Sequence, residues 1–320
     1  MKKFIIFFTV LVLLVGCNAK PIKKYRIDGF AQGTTYRIIY LADEELVTRS
    51  DVTDVLNAFD KSCSLYDSTS LLCKINSGLT DSLDANIKEC LTLAFRLSKE
   101  SDGMYDVTVK PLVEAYGFAA RSGDTLVNVD SLLQYVGYEK VSIDGNKLLK
   151  PKGFQIDLNS IAQGFSVDLM ARKFDKLKIK NYLIEIGGEV FARGKNDKDK
   201  EWNVGIDKPF DGNMSPGANL QTVISLSGKG LGTSGNYRKF HTDKDGHRIN
   251  HTINPKTGES VVTNLLSATI VAPSAIEADA YATVMMALGT EKAIEFLKQH
   301  AELGAYLVYS EGEKNIVYEQ

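Results

Sequence analysis

Polar and apolar positions alternate from Tyr25 to Leu41, around GTTYRIIYL, and predict a strand entered through Gly29 and Gly33. From Ser50 to Phe59 the period lengthens: Val52, Val55, Leu56 and Phe59 form an i, i+3, i+4, i+7 stripe, so a helix is expected, with Ser50 able to cap it. Residues Ser62–Gly78 keep no period and read as loop. Asn86–Ser101 predicts a second helix, with Ile87, Cys90, Leu91, Ala94, Phe95 and Leu97 inward and Ser101-Asp102-Gly103 as its stop. Pro111 is placed to open a short helix, Arg121–Val129 reads as a surface loop, and Asp130–Gly137 as another short helix.

Phe154–Leu158 predicts a strand. Ser160 and Gln163 have the S-x-x-Q spacing of a capping box, so a helix is expected from there to Phe174. The free N–H groups of its first turn make a ready anion site. Gly164 in that turn costs roughly 1 kcal/mol relative to alanine; close approach of a backbone or ligand would explain it, and so would helix–strand packing. Tyr182–Val190 predicts a strand bulged at Gly187-Gly188. Trp202–Ile206 and Gln221–Leu226 predict strands, with a Gly-, Pro- and Asn-rich loop over Pro209–Asn219 between them.

Leu231–Ser260 reads as a long polar hairpin with Lys244-Asp245-Gly246 at its tip, and Leu266–Val271 as a strand. Pro273–Gly289 predicts a helix with Ser274 and Glu277 as its capping box. Asp279 and Thr283 share one face of it, and Ala278, Ala280 and Ala282 leave room around them. Glu291–His300 predicts a helix, and Gly304–Tyr309 and Asn315–Tyr318 predict closing strands. Strands and helices mix without strict βαβ alternation and without a fixed repeat, which points to an α+β body.

The 320 residues carry a formal net charge of -2 and a 44% hydrophobic content. That suffices for a sizeable core and lacks the basic excess of a nucleic-acid binder. Lys2 and Lys3 precede an apolar run, Phe4–Val15, that is short for a bilayer span and leads into Leu14-Val15-Gly16-Cys17. Residues 1–16 therefore read as a lipoprotein signal peptide, Cys17 as the lipid-modified residue, 17–24 as a tether and 25–320 as the folded domain. Ordinary signal-peptidase cleavage and an uncleaved anchor are the alternatives. Of the remaining cysteines, Cys63, Cys73 and Cys90, a Cys63–Cys73 pair and buried free thiols both stay open.

No phosphate-binding G-x-x-x-x-G-K-[ST] loop, no G-x-G-x-x-G and no H-E-x-x-H occurs. Instead, Leu231–Ser260 concentrates Arg238, three of the four histidines (His241, His247, His251) and the Asn254-Pro255 turn, groups that can wall a cleft for an anionic or aromatic ligand. His247 and His251 have zinc-like spacing, but they lie in a hairpin and no third ligand adjoins them. Asp279 with Thr283 suits Mg²⁺, which takes few protein oxygens. On their own, a lysine partner for Asp279 and a back-bond for Thr283 explain the pair better, just as Tyr66 on its own reads as a lid over a neighbouring core. Taken together, the helix start at Ser160, the oxygen pair and the hairpin fit a Mg-assisted reaction on a phosphate ester.

QGTTY at Gln32, SLYDSTSLLCKIN at Ser64, GMYDVTVKPLVEAYGF at Gly103, IDLNSIAQGFSVD at Ile156, YLIEIGGEVFARG at Tyr182, LGTSGNYRKF at Leu231, HTINPKTGE at His251 and DAYAT at Asp279 follow one another in order. In that order they resemble the ApbE family, flavin transferases that use FAD to attach FMN to threonine or serine of target proteins. The resemblance implies a mixed α+β, T-fold-related body with flanking helices and an FAD cleft between two lobes. It implies Mg²⁺ on Asp279 and Thr283, with the carbonyls of Ala162 and Ala282. It implies FAD lined by Gln32, Tyr66, Met104, Tyr105, Asp106, Asp157, Gln163 and Ile253, and chemistry closest to His251 and Asp279. The implied partners are acceptor subunits of membrane redox complexes, reached from a lipid anchor on the periplasmic side of the bacterial envelope. This chain departs from the family pattern in having Gln32 in place of methionine, Gln163 in place of lysine or glutamate, and Asn254 in place of aspartate. The rival readings are an FAD pyrophosphatase and a non-enzymatic FAD-binding lipoprotein.

Overall fold

The computed structural model describes residues 20–118, 128–210, 213, 217–237, 240–242 and 248–320. The signal segment with Cys17, residues 121–127 of the surface loop, Arg238, His247 and the 244–246 tip lie outside them, as do parts of the 209–219 loop.

The alternation over 25–41 resolves into two strands, not one. β1 (Lys23–Ala31) and β2 (Thr34–Ala42) pair antiparallel, with Ala31 opposite Thr34. The break falls at Gln32-Gly33, both at positive φ (53° and 73°), the backbone that a two-residue hairpin needs. β1 also takes up the last two residues of the expected 17–24 tether.

Helix α1 (Arg49–Cys63) starts one residue earlier than expected and is capped by Thr48, which forms a capping box with Asp51. A short helix, α2 (Leu71–Asn76), lies in the stretch that reads as loop and is capped by Ser70. α3 (Ala85–Glu100) is capped by Asp84, α4 (Lys110–Ala115) carries Pro111 in its first turn, and α5 (Val129–Leu133) is shorter than the period suggests. A small unexpected hairpin, β3 (Ser142–Asp144) with β4 (Lys147–Leu149), follows.

Residues 154–158 form no strand. Ile156 exchanges both backbone hydrogen bonds with the Asn76 side chain (2.7 and 2.8 Å), and Asp157 N–H goes to the Val107 carbonyl (2.7 Å). A side-chain amide thus replaces the neighbouring strand. α6 (Ala162–Lys176) begins after Ser160 and has no side-chain cap, because Ser160 Oγ is hydrogen-bonded to the Tyr105 hydroxyl at 2.8 Å. β5 (Asn181–Ile186) and β6 (Glu189–Arg193) are separate strands, so Gly187-Gly188, at φ 69° and 111°, is a hairpin turn and not a bulge.

β7 (Trp202–Asp207) pairs with β8 (Leu220–Leu226). The polar stretch from 231 divides in two: β9 (Lys229–Gly235) joins the main sheet, and only β10 (Phe240–Thr242) with β11 (Arg248–Asn250) forms a hairpin. β12 (Leu265–Ala272), α7 (Ala275–Leu288), α8 (Thr290–Gln299), β13 (Gly304–Glu311) and β14 (Lys314–Glu319) complete the described chain close to the expected bounds.

The eight-stranded sheet has the order β1-β2-β5-β6-β9-β12-β13-β14, and every neighbouring pair is antiparallel. One face, with Ile38, Tyr40, Tyr182, Ile184, Ala268 and Ile270, packs on the helices, where Phe165, Phe174 and Met285 are fully buried. Each such side chain contributes about 1.5–3 kcal/mol relative to exposure. The opposite face, with Val190, Ala192 and Leu231, is covered by Trp202, Ile206 and Leu226 of the β7–β8 hairpin. Helix α7 lies over the middle of the sheet and against α6. That places the first turns of both helices together.

Cys63, Cys73 and Cys90 are all free thiols. The buried Cys90 thiol is raised first by its hydrogen bond with Cys63, so Cys63 neighbours Cys90.

Candidate active site

Ser274 caps α7 as the sequence implies, but the Glu277 side chain meets the Ser274 hydroxyl and not the backbone N–H that a capping box would use. Ser274 Oγ accepts the Glu277 N–H and donates to Glu277 Oε2 at 3.0 Å. Asp279 and Thr283 then project from consecutive turns toward α6 and β9. Three glycines make room: a Cβ on Gly164 would lie 2.4 Å from the Ala275 carbonyl oxygen, one on Gly230 2.4 Å from Ala275 N, and one on Gly232 2.6 Å from Asp279 N. Gly164 is therefore explained by the close approach of a neighbouring helix backbone.

Asp279 is buried, and its Oδ2 accepts the Gly164 N–H at 3.0 Å. Desolvation pushes its carboxyl up to about 7; the Gly164 N–H acts the other way and the charge of Asp168 adds to the rise. Thr283 Oγ1 shares a hydrogen bond with Ser234 Oγ on β9, at 3.2 Å. The Ala162 carbonyl, at the start of α6, accepts from Ser166 Oγ at 3.0 Å, a bond that a cation would have to share or displace. Ala282 lies fully buried within α7.

Among the described residues no group of three or more His, Cys, Asp or Glu side chains is placed to hold a metal. The donor set at the α6–α7 junction is of another kind: one buried carboxylate, one hydroxyl and helix carbonyls. These hard oxygens, few in number, suit Mg²⁺ when phosphate and water complete its octahedron. A cation there would also offset the burial of the carboxylate, which a single N–H does not. The residues fit the ion.

Most of the expected flavin-lining residues collect around the same helix start. Gln32, from the β1–β2 turn, donates to Ser166 Oγ (2.9 Å) and to Asp60 (3.0 Å). Gln163 lies over the Gly187-Gly188 turn, its Nε2 only 2.6 Å from where a Cβ on Gly187 would stand. Tyr105 is buried, and its hydroxyl meets Ser160 immediately before α6. Burial raises that phenol strongly and the Asp279 charge adds to the rise. Both Asp106 oxygens build the surrounding loop, accepting from Thr108 N and Oγ1 (2.7 and 2.6 Å) and from Tyr138 N (2.8 Å). Asp157 Oδ1 accepts the Asn159 N–H at 2.8 Å. Tyr66 is 70% exposed, although desolvation of its hydroxyl end and the Asp157 charge raise its phenol. Its ring is a platform open to solvent.

His251 and Ile253 come from farther along the chain. His251 is partly buried, with its ring edge-on to Phe118 at 6.1 Å between centroids. Ile253 is buried in a small cluster with Leu112 and Val136. Two contacts bring this segment to the others. Lys256 pairs with Asp102 at 2.6 Å, beside Gly103 and the partly buried Met104. Arg248 Nη2 donates to the Asn236 carbonyl at 2.6 Å, just past the end of β9. A groove of about 590 Å³ between α3 and the start of α7 is lined by Lys88, Arg96 and Glu277 and by none of the expected site residues.

Sequence reasoning missed three residues here. Asp168 accepts the N–H groups of Ala275 and Ile276, both at 2.9 Å, and burial lifts its carboxyl to about 6. Its signal was an acid on the buried stripe of a helix, beside Val167 and Ala171, where a charge requires a partner. Ser234 holds Thr283. Among the described residues, the buried Asn236 has no partner for either side-chain polar atom, a donor and an acceptor left over in the wall next to Ser234.

Known proteins resemble this chain along most of its length. The FAD:protein FMN transferase of Haemophilus influenzae is 33% identical over 96% of this chain and 93% of its own length. The enzyme of the same name from Vibrio cholerae is 32% identical over 91% and 89%. The solved apo form of the Pseudomonas stutzeri flavinyl transferase ApbE matches with a TM-score of 0.82 at 28% identity, covering 93% of this chain and 95% of that one. The flavin transferase ApbE from Vibrio cholerae gives 0.83 at 27%, covering 94% and 98%. The ApbE family profile matches residues 32–307, and the chain belongs to the ApbE family.

Proposed function

We infer that this chain transfers FMN from FAD to protein acceptors. The observation that carries the reading is the junction of α6 and α7, where a buried carboxylate, a hydroxyl and a carbonyl gather inside a fold shared with flavin transferases. The acceptor residue is a threonine or serine. Its hydroxyl oxygen bonds to the phosphorus on the FMN side of the FAD pyrophosphate. The bond from that phosphorus to the bridging oxygen breaks, AMP departs with the oxygen, and the hydroxyl proton is lost to the surroundings. The product is a phosphoester, and no oxidant or reductant is consumed.

The chain contributes position and charge, the main levers in phosphoryl transfer. Asp279, Thr283 and the carbonyls of Ala162 and Ala282 hold Mg²⁺. The ion, when bound, neutralises charge developing on the pyrophosphate. Tyr66 offers a ring face to an aromatic part of FAD. Met104, Tyr105, Asp106 and Asp157 shape the wall beside it, Gln32 and Gln163 brace the α6 end, and Ile253 supports the far side. His251 stands on the hairpin side of the cleft and acts closest to the reacting groups. Anchoring through a lipid on Cys17 holds the domain at the periplasmic face of the bacterial envelope, beside membrane redox complexes that supply the acceptors. The support for this is the sequence pattern of residues 1–17.

The test incubates the protein with FAD, Mg²⁺ and a threonine-containing acceptor and reads flavin fluorescence on the denatured acceptor band. Fluorescence that needs both the acceptor threonine and the divalent ion is the expected result. An unlabelled acceptor alongside released FMN and AMP identifies a hydrolase, and unchanged FAD identifies a binding protein.

A further inference from the structure

Two carboxylates cross between α6 and α7 in opposite directions. Asp168 of α6 accepts the N–H groups of Ala275 and Ile276, the first two residues of α7. Asp279 of α7 accepts the N–H of Gly164, the third residue of α6. Gly164 and Asp168 are four residues apart, and so are Ala275 and Asp279. Each pair spans one helical turn, so the three bonds close a four-cornered clasp between the two helices. The clasp replaces ordinary capping. α6 has no side-chain cap of its own, and Ser274 serves the Glu277 N–H, leaving the Ala275 and Ile276 amides to Asp168. Gly164 is the hinge plate: any Cβ there would meet both Ala275 and Asp279.

We propose that Asp168 is a positioning residue for the cation site. By holding the first turn of α7 on α6, it sets the separation between the Asp279 carboxylate and the Ala162 carbonyl. Asp168 touches neither substrate nor ion; it acts through the helix pair. The inference rests on the reading of Asp279, Thr283 and Ala162 as Mg²⁺ donors. A merely stabilising residue would lower the melting temperature and leave cation affinity alone.

The test titrates Mn²⁺, standing in for Mg²⁺, into the full chain with FAD and no acceptor, following loss of the free-ion EPR signal. Four variants are compared with wild type. Asp168→Asn keeps one acceptor oxygen but loses the other and the charge, and Gly164→Ala forces the helices apart without changing charge. Asp168→Glu keeps the charge but shifts its reach by one methylene, which carries the test if the asparagine variant does not fold. Leu226→Ala, in the β7–β8 hairpin, is the stability control. The three clasp variants should bind Mn²⁺ about ten- to hundredfold more weakly, whereas Leu226→Ala melts earlier and binds as wild type does. Wild-type affinity in folded Asp168 variants overturns the proposal while the cation reading stands. Failure of the wild type itself to bind Mn²⁺ overturns both.

Discussion

Burial raises the Asp279 carboxyl by more than its one N–H···O bond lowers it, and this imbalance leaves it titrating at about 7. Asp279→Asn keeps an acceptor for the Gly164 amide and removes the charge. Acceptor labelling should then fall about 100- to 1000-fold, the range for losing one fixed electrostatic contact to a transition state. The melting temperature without added metal at pH 8 should rise, since the buried charge at this position is gone. Calorimetry and in-gel fluorescence on one preparation check both arms. Asp168, lifted by burial from the ordinary carboxylate value near 4 to about 6, sets a pH dependence. The folded state holds this proton across the interval between those values and the unfolded state does not, so its contribution to stability falls as pH rises from about 4 through 6. The difference in melting temperature between wild type and Asp168→Asn should narrow over that interval; a difference that widens would contradict the burial assignment. Of the two acids, Asp279 was singled out in the sequence, though by its place in the DAYAT motif and the family resemblance and not by its spacing to Thr283 alone. Asp168 was not, because the amides it serves are 107 and 108 residues away.

Elements whose signals are local were the readable ones. α3 carries its own apolar stripe and α7 its own Ser274 cap and Gly289 stop, and these two, with α8 and β12, end within a residue or two of expectation. Errors gathered where a distant side chain intervenes. Ser160 and Gln163 have capping-box spacing, but Tyr105 takes the Ser160 hydroxyl and α6 starts later. Residues 154–158 have strand composition, but the Asn76 amide takes the hydrogen bonds that a neighbouring strand would supply. The contact between β9 and α7 gives a direct test at this scale. Gly232→Ala places a Cβ 2.6 Å from Asp279 N, against backbone that cannot rotate away. Such overpacking should cost about 1–3 kcal/mol in urea unfolding, with labelling reduced because α7 carries the oxygen donors. An alanine variant with wild-type stability and rate would mean that α7 is free to move off the sheet.

Over the whole molecule, one antiparallel sheet carries the helices that hold the oxygen donors on one face and the β7–β8 cover on the other. The α+β class and the order of motifs were legible. The placement of β9 between β6 and β12 was not, since strand order depends on pairings distant in sequence. The segment carrying His251 and Ile253 packs in a satellite cluster separate from the main core. Ile253→Ala should therefore raise the KM for FAD more than it lowers the melting temperature, and an unchanged KM would remove this segment from the flavin wall. The central claim is transfer to protein as opposed to hydrolysis, and its most direct test is a count. AMP released and flavin covalently held by the acceptor are measured in the same reaction with FAD and Mg²⁺. Transfer predicts equal amounts at every time point, and both vanish when the acceptor threonine is replaced by alanine. AMP that accumulates without bound flavin would contradict it.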